Sequence, residues 1–162
     1  MKLVQLLIFI WALNLSAQDY QNKFAVTIFN SPYAWMQGDG ANIGANIQYQ
    51  NRSVYAGADL FVYPDLRGYD YLHTIATIGG NINLGRLRPQ LRAFAGVRLG
   101  AIQRGGEGHG LIGLEFGAQW NITPTFFIGL RGAYDKRGDS KVWGNDSYQT
   151  QYSTFTEVGF RF

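Results

Sequence analysis

The chain has 162 residues, with 14 Lys and Arg against 11 Asp and Glu, no cysteine, 15% charged residues, 21 Gly, and 4 Trp, 10 Tyr and 11 Phe. That length suits a single domain, and the lack of cysteine rules out disulfide staples, thiolate metal sites and a lipid-anchoring thiol. The charge is too balanced to suggest nucleic acid, whereas many glycines and aromatics with few charges suit an all-β membrane protein.

In chain order, residues 1–17 come first: Lys2 gives a short positive start, Leu3 to Leu13 an apolar run, and Leu15-Ser16-Ala17 a small-residue cleavage site. This predicts a secretory signal peptide, because the run is too short to cross a bilayer as a helix. Residues 18–162 then form the mature domain. No later apolar run approaches the ~20 residues a membrane helix needs, so a chain that spans a bilayer must do so as a closed sheet with no unpaired edge.

Eight segments of period-two alternation follow, at residues 22–29, 41–50, 53–63, 71–84, 90–102, 111–121, 125–135 and 152–162. Strands alternate in this way because successive side chains point to opposite faces. The apolar face carries Phe24, Val26 and Ile28 in the first segment, Ile43, Ala45 and Ile47 in the second, and Val54, Ala58 and Leu60 in the third. It continues with Leu72, Ile78 and Ile82, then Val97 and Leu99, Ile112, Leu114 and Phe116, Ile128 and Leu130, and finally Val158, Phe160 and Phe162. Asn51-Arg52, residues 85–89 and residues 122–124 read as tight turns, and residues 30–40, 64–70, 103–110 and 136–151 as longer loops. Short turns on one side and long loops on the other suit an outer-membrane barrel with both termini periplasmic.

Alternation also fits a soluble barrel, so the charges must decide. With register set by the apolar rows, Lys23, Asp59, Arg92, Arg98, Glu115, Arg131, Asp135, Glu157 and Arg161 all fall on the opposite face. That face also carries Gly44, Gly57, Gly79, Gly96, Gly113, Gly117, Gly129 and Gly159. Glycine weakens a solvated strand without gain, but inside a narrow barrel it makes room for large neighbours. The charged face is therefore predicted to be the lumen, and the uncharged rows to meet lipid. Tyr49, Trp120, Phe126, Phe160 and Phe162 near the short turns, with Tyr134, Tyr152, Tyr33 and Trp35 near the long loops, would form two interfacial girdles.

On this pattern the chain resembles the small eight-stranded outer-membrane barrels, the OmpA transmembrane domain and OmpX-like families, across its whole mature length. The resemblance implies an all-β fold: a closed, eight-stranded, antiparallel, up-and-down transmembrane β-barrel. It also implies insertion by the barrel-assembly machinery, and Val158, Phe160 and Phe162 resemble the carboxyl-terminal signal which that machinery reads. The chain departs from many such signals in having Glu157 five residues before the end and its glycine at Gly159. The cleavage region Leu15-Ser16-Ala17-Gln18 resembles proteins of the Bacteroidota. Outer-membrane lipid and lipopolysaccharide are the implied surroundings.

Eight strands enclose a space that side chains can fill, so the lumen is expected to be a packed polar plug rather than a diffusion pore. If the turn pairs Trp120 with Phe126, Glu115 stands opposite Arg131, which predicts a salt bridge. No cofactor or metal is implied. Lipid A-modifying enzymes of this barrel size use His with Ser and an acidic residue. This chain offers only His73, on the inner face, and His109 with Glu107 in a glycine-rich loop, without the His-x-Ser arrangement. The candidate surface contact is the loop at residues 136–151, with Arg137, Gly138 and Asp139 in an adhesion-like tripeptide and Trp143 as an aromatic anchor. The reading is a non-enzymatic barrel with a structural or surface-binding role, a protein partner meeting its extracellular loops; the alternatives are a lipid A-modifying enzyme and a narrow channel for small polar solutes.

Overall fold

Along the second strand, burial alternates without a break from exposed Ile43 to buried Gln50, and the first strand does the same from exposed Phe24 to buried Phe29. The computed structural model describes residues 24–32, 36, 41–51, 53–66, 68–84, 91–139 and 149–162. The predicted signal peptide, Lys23, Tyr33, Trp35 and Trp143 lie outside the described residues. The strands are β1 (Phe24–Asn30), β2 (Ile43–Gln50), β3 (Val54–Leu66), β4 (Tyr69–Asn83), β5 (Leu91–Arg104), β6 (Glu107–Asn121), β7 (Phe126–Arg137) and β8 (Gln149–Arg161). Each pairs antiparallel with the next, and β8 returns to β1 in a closed barrel.

Closure depends on the last residues of the chain. Ala25 pairs with Arg161 and Val26 with Phe160. Beyond them the Phe24 amide donates to the Phe162 carbonyl at 3.1 Å, and the Phe162 amide donates to Phe24 at 3.0 Å. No sheet edge is left open at this seam, as a bilayer requires.

The apolar rows point outward as the sequence predicts. Leu99 is 66% exposed, Leu130 65% and Ile47 63%, while Asp59, Arg98 and Glu115 are 1–2% exposed. Charge inside and apolar surface outside inverts the arrangement of a soluble protein and matches a barrel with lipid around it.

Two expectations need correction. Residues 64–70 and 103–110 are not long loops. Leu66 pairs with Tyr69 after an irregularity at Tyr63, and Arg104 pairs with Glu107, so only Gly105 and Gly106 turn the β5–β6 hairpin. Their φ values of 57° and 86° are the left-handed conformations a two-residue hairpin turn needs, and two adjacent glycines supply both at little steric cost. Two of the four connections at that end of the barrel are therefore tight turns.

The interior is also less polar than expected. Phe29, Phe61 and Phe155 meet with ring centroids 5.4 Å apart, and Tyr71, Ile75, Ile102 and Leu111 join them in a buried apolar cluster in the loop-side half. Glycine makes this packing possible: a methyl group on Gly44 would collide with the rings of Phe29 and Phe61.

Candidate functional site

At the centre of the lumen, β7 contributes Arg131, 5% exposed. Its Nη1 donates to both oxygens of Asp59 on β3, at 3.1 and 2.8 Å. The same Nη1 lies 3.6 Å from Glu115 Oε2 on β6, and Nε lies 3.7 Å from Glu157 Oε2 on β8. One guanidinium thus faces three carboxylates from three other strands, with its carbon 4.2 Å from the centre of the Phe29 ring. Three carboxylates around one cation would repel one another, and each has a neutral donor as well. Asn46 donates to Asp59 at 2.6 Å, Tyr55 to Glu115 at 2.7 Å and Gln119 to Glu157 at 2.8 Å. Buried charge is tolerated only with this degree of pairing.

Toward the chain termini the network continues through Arg92 and Arg161, which both donate to Gln119 Oε1 at 2.6 Å. Arg161 also bonds Asn121 and lies 4.3 Å from the Phe127 ring centre. Toward the loops, Arg98 lies 3.5 Å from Asp135. Of the predicted lumen residues, all eight within the described residues are therefore inside. The expected Glu115–Arg131 cross-strand pairing is corrected: Trp120 pairs with Ile128, so Gly117 stands opposite Arg131 and Glu115 opposite Ala133. A shift of two residues preserves the faces, and the long arginine still reaches Glu115 along the diagonal.

The tripeptide at residues 137–139 is a second correction. Asp139 is 3% exposed rather than displayed. Arg137 grips it with two bonds, Nε to Oδ1 at 3.0 Å and Nη2 to Oδ2 at 2.6 Å, and also donates to Tyr71 Oη at 2.7 Å. Arg104 approaches the same carboxylate at 3.9 Å. The pair belongs to the mouth of the lumen. Sequence reasoning missed Arg104, although it follows Arg92 and Arg98 at the same parity; extending β5 would have found it. Nothing in the sequence marks Asp139 as buried.

The histidines remain apart. His73 stacks on Phe61 with centroids 4.9 Å apart, and its Nδ1 lies 3.2 Å from Tyr71 Oη. His109 lies 3.8 Å from Glu107, which is 74% exposed in its side chain. Among the described residues no group of three His, Cys, Asp or Glu could hold a metal ion. At the carboxyl terminus Val158, Phe160 and Phe162 all point outward, 47, 57 and 67% exposed, and Phe160 packs on Phe126 at 5.2 Å.

No protein-family model and no curated protein matches the chain. Solved structures do. The N-terminal β-barrel domain of Pseudomonas aeruginosa OprF is 17% identical with a TM-score of 0.56, over 87% of this chain and 98% of that one. The Yersinia pestis outer membrane protein Ail, determined in a phospholipid bilayer nanodisc, is 14% identical with a TM-score of 0.52, over 87% and 99%. Neisserial surface protein A is 14% identical with a TM-score of 0.51, over 85% and 95%. These similarities give no support to a Bacteroidota source. They agree with the closed ring, the outward apolar rows and the buried charges: the chain has the fold of the small eight-stranded bacterial outer-membrane β-barrels.

Proposed function

We propose that the chain acts in the outer membrane as a plugged barrel, a rigid mount that presents its loop-side hairpins to a partner, and neither conducts solutes nor modifies lipid. The observation that supports this is the Arg131 cluster, which ties β7 to β3 across the lumen and to its neighbours β6 and β8. A pore would have to break a buried ion network to open. Strands β4, β5 and β6 have 15, 14 and 15 residues, more than the ~9–11 needed to cross hydrocarbon. Their surplus extends at the loop end, where Tyr69 is 48% exposed. In this reading the loop side is extracellular and both termini are periplasmic.

Planar-bilayer recording tests the first half: the wild-type barrel gives no discrete openings, and stable unitary conductance overturns the plug. Mass spectrometry of lipid A from cells with and without the protein gives identical profiles; a lost or added acyl chain overturns the non-enzymatic reading. For the second half, proteins retained from solubilised envelopes are compared between wild type and a Tyr69→Ala, Glu107→Ala variant of the hairpin tips. A partner lost with the variant supports presentation by the tips, and equal retention contradicts it.

A further inference from the structure

The outward face of β4 to β8 is not smooth. A trough of about 790 Å³ crosses it. The ladders set its course: Ala76 pairs with Leu99, Leu99 with Ile112, Ile112 with Lys136, and Lys136 with Thr150. A parallel row of Ile78, Val97, Leu114 and Tyr134 forms its other bank. Thr77 and Gly113 contribute the floor; Thr77 turns its side chain to the lumen and Gly113 has none.

The two ends of the trough differ. Ala76 lies midway along β4, in the middle of the apolar belt. Lys136 is the last residue but one of β7, two positions beyond outward Tyr134, at the loop-side margin of that belt. The trough, whose surface end reaches Thr150, therefore runs obliquely from the membrane surface toward the bilayer centre, over four inter-strand spacings or roughly 19 Å. Leu99 and Ile112, 66 and 59% exposed, line its deep portion. Of the two basic residues along it, Arg98 is 1% exposed with its guanidinium on the lumen side, whereas Lys136 is exposed on the lipid side.

We propose that this trough seats one acyl chain of a phosphate-bearing membrane lipid, with the lipid phosphate held by the Lys136 ammonium. The occupant follows from the order of the chemistry along the trough: a cation and the Thr150 hydroxyl at the surface end, then continuous hydrocarbon toward the core. An anionic amphiphile complements both ends at once, while a zwitterionic lipid carries its own cation to the lysine and a soluble anion has no use for the apolar portion. The proposal rests on the reading of this chain as a membrane barrel, which the test below examines separately.

The barrel is reconstituted in nanodiscs holding equal phosphatidylglycerol and phosphatidylcholine, and the lipids retained after release are identified by native mass spectrometry. One phosphatidylglycerol is expected to be kept in preference to phosphatidylcholine by about five-fold, the factor for a single lysine at a membrane surface. Lys136→Gln removes the preference and Lys136→Arg keeps it. Ala76→Phe, which fills the deep end, lowers retention while leaving the preference in place. Equal retention of both lipids by the wild type, or a preference unchanged in Lys136→Gln, overturns the proposal and leaves the membrane barrel standing. A chain that never enters the nanodisc overturns the barrel reading and the proposal with it.

Discussion

Arg131 on β7 and Asp59 on β3 belong to diametrically opposite strands of the ring, yet Arg131 Nη1 lies 2.8 Å from Asp59 Oδ2. The bond is a strut across the lumen, and its removal is predicted to act asymmetrically. Arg131→Ala leaves Asp59, Glu115 and Glu157 without their shared cation. Losing one partner of a buried ion pair is typically worth roughly 3–5 kcal/mol. Asp59→Asn instead leaves Arg131 with two carboxylates and keeps an acceptor in place, so its loss should be less than half as large. Urea unfolding in detergent, followed by circular dichroism, measures both. Equal effects, or a neutral Arg131→Ala, would contradict the role of the arginine as hub.

A second prediction concerns the paired glycines Gly79 and Gly96, which face each other across β4 and β5. The Tyr55 ring lies against both, so that a methyl on Gly96 would fall 2.5 Å from Tyr55 Oη. Gly96→Val is therefore expected to displace Tyr55 and break its bond to Glu115, lowering the fraction of folded barrel seen by heat-modifiable electrophoretic mobility. Gly108→Val, where nothing lies within 4 Å of an added methyl, is expected to leave that fraction unchanged. Similar yields from the two variants would show that lumen volume is not limiting.

The facing of each strand was legible because period two leaves one choice once a single row is fixed, and the apolar rows fix it. Residues such as Leu99 and Arg98 accordingly lie where alternation puts them. Strand ends were less legible. Arg104 and Glu107 extend a hairpin through residues that read as a glycine-rich loop, since glycine marks a tight turn and a long loop alike. Cross-lumen contacts were not legible at all. Arg131 reaches Asp59 from 72 residues away, and which inward residues meet depends on shear and side-chain length, neither of which appears in local pattern. Asp139 was misjudged for a related reason, because short-range composition cannot tell a carboxylate displayed on a loop from one folded back onto two arginines.

The turn at Gly105 and Gly106 carries a third prediction. Both residues hold φ above zero, at 57° and 86°, where a residue with a side chain is disfavoured by about 1–2 kcal/mol. Replacing the pair by Val-Val should destabilise the barrel by roughly twice that amount. Replacement by Asn-Gly, a pair that favours this turn, should leave it near wild type. The urea midpoint decides, and a Val-Val variant as stable as the wild type would argue that the hairpin has another turn in solution.

The last prediction concerns the mouth of the lumen. Arg137 is held by the fork it makes with Asp139, at 3.0 and 2.6 Å, and by Tyr71 at 2.7 Å. Asp139→Ala removes the anion that Arg137 shares with Arg104, leaving two guanidinium groups to repel each other in a confined space. The longer-range consequence is that Arg137 turns outward into solvent and becomes a substrate for trypsin. A hydrogen bond to a charged group typically contributes about 1.5–3 kcal/mol, so cleavage after Arg137 should accelerate by roughly ten-fold or more. Peptide mapping of timed digests measures the rate at that bond against bonds elsewhere in the chain. Tyr71→Phe, which removes only one neutral partner, should produce a smaller acceleration at the same bond. If Asp139→Ala is cut no faster than the wild type, the fork does not close the mouth, and the tripeptide returns to consideration as a displayed surface element.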